Sequence, residues 1–205
     1  MNRIVVLNSG GFDSVCLMHE VREAYPDWDI YSLFFDYGQP NVKEEKACAE
    51  KIAEKVEATF YEIKLPEFYW TRSDFYSNNI EYAKDYCVEM RNMVFLSYAL
   101  SLAEAIQASE VSCAILECHR SSYYDTSRDF IEKMEEIYAD KGVVLNAPFL
   151  YKDKSDLFYT VVKFNITEED YFSCNSPNVS PEGNLIPCGK CGDCRALREI
   201  MKFRY

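Results

Sequence analysis

Two groups of residues in this sequence have the types and spacing to do chemistry. The first is Ser9-Gly10-Gly11-Phe12-Asp13-Ser14, directly after a short apolar run. Two glycines let a backbone turn sharply and approach a ligand closely, so that its amides face phosphate oxygens. A following helix N-terminus adds positive partial charge, and the Ser9 and Ser14 hydroxyls add donors. Asp13 is out of place beside phosphates unless a divalent cation joins them, which points to Mg²⁺. No Gly-Lys-Ser/Thr is present here, so this is not a Walker loop. The plainer reading is a Ser- or Asx-capped turn without a ligand. So specific a string at a first strand–helix junction disfavours it.

The second group is Cys188-Gly189-Lys190-Cys191-Gly192-Asp193-Cys194, with Cys174 upstream across a Pro/Gly/Asn loop. Four thiolates suit tetrahedral Zn²⁺, and the glycines permit tight turns around sulfur. An iron–sulfur cluster is the rival, since three cysteines at this spacing also occur in ferredoxins. The upstream fourth cysteine and the lack of a following Cys-Pro favour zinc. With all four positions filled by thiolate, no site stays open, so the metal is structural. Cys16, Cys48, Cys87, Cys113 and Cys118 are scattered through periodic segments and read as small buried hydrophobes.

The elements that must hold these groups follow from periodicity. Residues 3–7 form a buried strand ended by the glycine turn, and a helix runs from Asp13 towards Pro26. Residues 30–35 and 59–63 are further strands, with a charged amphipathic helix over 42–57 between them. Residues 65–89 lack a period and read as an excursion or lid. A helix over 92–107, apolar nearly all round, precedes a strand over 110–116. Helices over 126–140 and 155–164 flank a short strand at 142–145. Strands alternating with helices predict a Rossmann-like α/β fold, a parallel sheet with helices on both faces. Such a sheet puts ligands beyond the carboxyl ends of its strands. Residues 1–170 are expected to form this domain, with 171–205 as a zinc-binding tail packed on it.

The chain has 205 residues, 48% of them hydrophobic, and carries 22 basic against 34 acidic side chains, a net charge of −12. That balance suits one soluble domain with a small appendage, and it argues against a nonspecific grip on nucleic acid or an anionic membrane. The apolar runs are too short for a membrane span or a signal peptide, so a cytoplasmic chain is expected.

The loop resembles the pyrophosphate loop of N-type ATP pyrophosphatases, which include GMP synthetase, asparagine synthetase and tRNA-thiolating enzymes. Other strings are similar to the 7-cyano-7-deazaguanine synthase (QueC) family within that group. Phe35-Asp36-Tyr37-Gly38-Gln39 looks like its Phe-Asp-Tyr-Gly-Gln, and Arg91-Asn92 its Gly-Arg-Asn helix start. Glu117, Ser121, Tyr123 and Asp125 look like its Glu-x-x-x-Ser-Gly-Tyr-Pro-Asp stretch. Lys154 falls where the family carries a lysine, and the tail cysteines complete the pattern. The likeness covers nearly the whole chain. It implies that Ser9 to Ser14 hold the β,γ-pyrophosphate of ATP with Mg²⁺, and that Tyr37 and Gln39 lie at the nucleotide. Asp13, Ser14, Lys154 and Arg91 would take part in catalysis. Arg91, Asn92, Glu117, His119, Tyr123 and Asp125 would bind a deazaguanine. Tyr123 would supply a stacking face there, and Asp125 or Glu117 would accept from the base.

Departures from the family fall on the acceptor side. Its Val-Pro-Gly-Arg-Asn is here Val88-Glu89-Met90-Arg91-Asn92, His119 and Arg120 replace an acid and an aromatic, and Pro40-Asn41 replace Arg-His. The resemblance implies a ligase that adenylylates 7-carboxy-7-deazaguanine for amidation by ammonia and conversion to the nitrile. The altered segments keep open another amine, such as a protein N-terminus, as acceptor. A non-catalytic adenine-nucleotide sensor is a third reading, disfavoured because mere binding does not need Asp13. A small-molecule deazaguanine is thus the expected partner, with a protein acceptor and a homodimer left open.

Overall fold

In the computed structural model of the chain, residues 2–68, 88–116 and 123–202 are described. The branched run Arg3–Leu7 forms β1 and turns at Asn8 into helix α1, Phe12–Ala24. Strand β2 (Asp29–Asp36), helix α2 (Val42–Lys55) and strand β3 (Thr59–Lys64) follow on one side of β1. Helix α3 (Arg91–Ile106) then crosses over to β4 (Glu110–Ser112), and α4 (Arg128–Ala139) leads to β5 (Val144–Asn146). The sheet is parallel throughout, in the order β3-β2-β1-β4-β5. It is the Rossmann-like sheet expected from the alternating pattern. The chain reverses its direction of build between β1 and β4, and a crevice opens there at the carboxyl ends.

Side-chain alternation along β1 divides the core. Ile4 and Val6 face a layer shared with α1, α2 and a short helix α5 (Phe158–Phe164), whereas Val5 faces α3 and α4. All three strand residues are fully buried. Serine at 127 caps α4 by accepting from Phe130 N at 3.2 Å. Helix α3 buries Leu96, Ala99, Leu100 and Ala103, whereas Tyr98 on its opposite side is exposed, as is Met93 in its first turn.

Strand β4 is shorter than the apolar run predicts. Ser112 pairs with Val6 and Asn146, and only one more backbone bond, Cys113 N to Asn146 O at 2.9 Å, extends the ladder. Beyond it β1 has turned away at its loop, so Ala114 and Ile115 line the crevice instead. The helix expected over 155–164 is a 3₁₀ turn at Lys154–Leu157 running into α5. From 171 onward the chain adds a small hairpin, β6 (Asn178–Val179) with β7 (Leu185–Ile186), and helix α6 (Gly192–Lys202). Tyr171 and the Leu197, Ile200 and Met201 face of α6 join the core layer of α1. No helix among the described residues is long and apolar enough to cross a membrane.

Candidate active site

The loop after β1 is fixed from below by Asn8, a buried side chain. Its amide donates to Ser32 Oγ at 2.9 Å and Ala49 O at 3.0 Å, while its Oδ1 accepts from Gly10 N at 3.0 Å. Gly10 has φ +71°, and a Cβ there would lie 2.0 Å from Glu45 O. Only glycine can take this position. Gly11 N donates to Ser9 Oγ at 3.3 Å, and Phe12 N to Ser173 Oγ at 2.8 Å. The Ser14 hydroxyl lies within hydrogen-bonding distance of Gly11 O, Asn8 Oδ1 and Ser9 Oγ. Side-chain oxygens thus stand at amides that would otherwise face an anion. The Phe12 ring is fully buried, edge-on to Tyr171 at 5.1 Å, so only its backbone belongs to the loop.

Asp13 lies in the first turn of α1 and meets Lys154 Nζ at 3.2 Å through Oδ2. On its other side Lys154 reaches Asp193 Oδ1 at 3.0 Å. Burial raises the Asp13 carboxyl above its usual value, and Lys154 pulls part of that back. Burial alone would lower the Lys154 ammonium, but Asp13 and Asp193 outweigh it and hold the group above its ordinary range. Asp13 Oδ1 is buried and has no hydrogen-bond partner among the described residues. A lone carboxylate oxygen on a phosphate-type loop is a hard-cation ligand in waiting, so the donor set fits Mg²⁺.

These residues form one end of a cavity of about 650 Å³ at the crevice between β1 and β4. Its volume lies within the range of small-molecule sites. The other end is aromatic. Phe35 stacks on Phe95 at 4.3 Å between ring centres, and Tyr37 lies 5.3 Å from Phe95. Arg91 starts α3, donates to Tyr37 OH at 2.9 Å, and keeps a buried Nε without a partner among the described residues. Gln39 is nearly fully buried and closes the β2–α2 turn. It accepts from Tyr37 N at 2.9 Å and donates to Phe35 O and Glu45 Oε2. Both Tyr37 and Gln39 line the cavity, but the Gln39 amide is already spent.

Tyr123 lines the same cavity. Asp125 does not. It is buried behind the wall, where Oδ2 accepts from Asn92 N at 2.9 Å while Asn92 Nδ2 donates to Asp125 O at 3.0 Å. That exchange caps α3, whose preceding residue Met90 has φ +54° and no side-chain cap of its own. Glu117 and His119, with Arg120 and Ser121, lie outside the described residues. Polar residues at the site that were not singled out from sequence include Asn8, Glu45, Ser173, Asn175 and Asp193. Burial pushes the Glu45 carboxyl up to about 7, against hydrogen bonds from Gln39 and Asn41 and the nearby Arg91 charge. The Glu45 signal was its place in the first turn of the helix after the Tyr37–Gln39 turn. For Asp193 it was a carboxylate inside the cysteine string.

The sulfurs of Cys174, Cys188, Cys191 and Cys194 all lie within 4.8 Å of one another, close enough to ligate one ion. Backbone amides of Lys190 and Cys191 donate to Cys188 Sγ at 3.3 Å, and Cys194 N donates to Cys191 Sγ at 3.4 Å. The Cys191 thiol is drawn below its ordinary value, first by the Cys174 thiol beside it and then by backbone amides. The cluster is compatible with a bound metal.

A family model described as "Queuosine biosynthesis protein QueC" matches residues 3–202. A 7-cyano-7-deazaguanine synthase from Clostridium kluyveri is 30% identical, over 98% of this chain and 94% of that protein. One from Prochlorococcus marinus subsp. pastoris is 32% identical, over 97% and 92%. Among solved structures, the U34-tRNA thiolase NcsA from Methanococcus maripaludis superposes with a TM-score of 0.54 at 9% identity, over 98% of this chain and 64% of that one. An NMN synthetase from Francisella tularensis gives 0.52 at 14% identity, over 84% and 66%. These two likenesses are of fold.

Proposed function

The chain belongs to the QueC family, and from that membership and the cavity geometry we propose that it is an ATP-dependent 7-cyano-7-deazaguanine synthase. The observation that carries the reading is the cavity itself: a phosphate-type loop with a free, buried Asp13 oxygen at one end and an aromatic wall with Arg91 at the other. In this reading the β,γ-phosphates of ATP lie against Ser9 to Ser14, displacing the Ser9 and Ser173 hydroxyls from the loop amides. Lys154 turns from Asp13 towards the leaving pyrophosphate, and Mg²⁺ on Asp13 supplies charge neutralisation. The acceptor base stacks between Phe95 and Tyr123, and Arg91 pairs with its carboxylate before activation.

A carboxylate oxygen attacks the α-phosphorus, the bond to the β,γ unit breaks, and pyrophosphate leaves. Ammonia then displaces AMP, giving the amide. A second activation, now of the amide oxygen, lets AMP depart with that oxygen and leaves the nitrile. Two ATP thus yield two AMP and two pyrophosphates for each acid converted. Zinc is the expected ion of the four-thiolate cluster, since four thiolates leave no open position for chemistry. Mass spectrometry of a mixture of protein, ATP, Mg²⁺, ammonia and 7-carboxy-7-deazaguanine tests the reading. It predicts 7-cyano-7-deazaguanine with AMP; ADP as the nucleotide product, or an unchanged acid, contradicts it.

A further inference from the structure

The cysteine tail and the nucleotide loop are joined at two places. Just before Cys174, Phe172 N donates to Gly10 O at 2.9 Å and Ser173 Oγ accepts from Phe12 N. The second joint runs through Asp193, in the first turn of α6 between Cys191 and Cys194. Its spacing suggests a bystander of the thiolates, yet both of its oxygens are used elsewhere. Oδ2 accepts from Asn175 Nδ2 at 2.8 Å, which steers the carboxylate. Oδ1 accepts from Lys154 Nζ at 3.0 Å, and Lys154 meets Asp13 Oδ2 on its far side at 3.2 Å.

An ammonium between two carboxylates is held by neither alone. Remove one, and it closes on the other as a full ion pair. We propose that Asp193 is a positioning residue that keeps Lys154 from closing on Asp13, leaving Asp13 open to a divalent cation and Lys154 free to reach phosphate. The proposal rests on reading the loop as an ATP site. It makes the tail part of the nucleotide machinery: the backbone that carries two metal-ligating cysteines also sets the lysine. The cysteines flanking Asp193 lie at the start of α6, which ties the place of the carboxylate to the cluster.

The test compares the full-length protein with Asp193→Ala and Asp193→Asn. Asparagine keeps the shape and an acceptor for Lys154 but not the charge. Mn²⁺ binding in the presence of ATP, read by electron paramagnetic resonance, reports the Asp13 site without turnover. Pyrophosphate release against Mg²⁺ concentration reports it during turnover, and elemental analysis reports the tail metal. Asp193→Ala is expected to retain the tail metal while its Mn²⁺ and Mg²⁺ midpoints rise roughly 10- to 100-fold, the span that losing one charged hydrogen bond covers. Asp193→Asn falls between it and the unaltered protein. A role confined to starting α6 moves melting temperature and leaves both midpoints in place, which overturns the proposal. If the alanine variant does not fold, the asparagine midpoints decide. An unaltered protein that releases no pyrophosphate sinks the ATP reading and this proposal with it. An active one matched by Asp193→Ala sinks the Asp193 proposal alone.

Discussion

Lys154→Met is the perturbation whose cost can be worked most directly from the structure. Methionine keeps most of the buried stem and removes the charge, leaving Asp13 and Asp193 facing each other without a cation. Each contact is about 3 Å long, and at an effective dielectric near 20 each carries about 5 kcal/mol of gross attraction. Desolvation of three ionised groups offsets most of that. Breaking a buried pair costs about 3–5 kcal/mol and an exposed one about 0–1 kcal/mol. Lys154 is 21% exposed, Asp13 26% and Asp193 34%, which puts this site between those limits. A loss of about 2–3 kcal/mol near pH 8 follows, lowering the melting temperature by about 4–12 °C for a chain of this size. The sign with pH is definite. Without Lys154 the Asp13 carboxyl, already raised by burial, loses the cation that holds it down, so the variant is stabilised by protonation there and its deficit shrinks as pH falls through the carboxylate range. Urea denaturation of both proteins at pH 4 and pH 8 measures it. A deficit below about 0.5 kcal/mol at pH 8, the scale of an ordinary surface change, or one equal at both values, refutes the account of this triad.

Asp13→Asn is expected to abolish pyrophosphate release while leaving the far-UV dichroism unchanged, because Asn is a poor ligand for a hard cation; retained turnover at saturating Mg²⁺ contradicts this. The Glu45 carboxyl, followed by ¹³C NMR, is expected to titrate near pH 7. Since that value is raised on folding, its contribution to stability is full below the unfolded value of 4.5 and is lost as pH rises through 7; a midpoint near 4.5 shows that the hydrogen bonds from Gln39 and Asn41 win over burial. Replacing Cys188 by serine is expected to release one zinc per chain and to speed hydrogen exchange over 174–202 and at the Gly10–Phe12 loop before the sheet. Iron in the unaltered protein contradicts the assignment of zinc, and unchanged exchange at the loop contradicts the joint between tail and loop.

Much of the frame was legible in the residues. Arg3–Leu7 is branched and apolar and is followed by two glycines, and β1 with its loop is where that pattern puts them. Crossovers long enough for helices between apolar runs left a parallel sheet as the economical arrangement. The end of β4 was not legible, because Cys113 to Leu116 are as apolar as a strand. What stops the ladder is that β1 turns away at Asn8, a fact about a neighbour. Helix α6 carries helical spacing in Leu197, Ile200 and Met201, but the signal is short and overlaps the cysteine string. Asp125 illustrates the limit for function. A carboxylate in a family-like string reads as a ligand for a base, yet its oxygen goes to the first turn of α3, where the residue before the helix supplies no cap. Such use depends on what lies opposite in space. Lys154 and Asp193, 39 positions apart, are the converse case, two ordinary surface types made into one device by packing.

If the acid is activated on oxygen at the loop of residues 9–14, the oxygen itself can be followed. With both carboxylate oxygens of 7-carboxy-7-deazaguanine labelled as ¹⁸O, the account predicts that each of the two AMP molecules formed per nitrile carries one label and that pyrophosphate carries none. Label in phosphate or pyrophosphate, or unlabelled AMP alongside the nitrile, would contradict it.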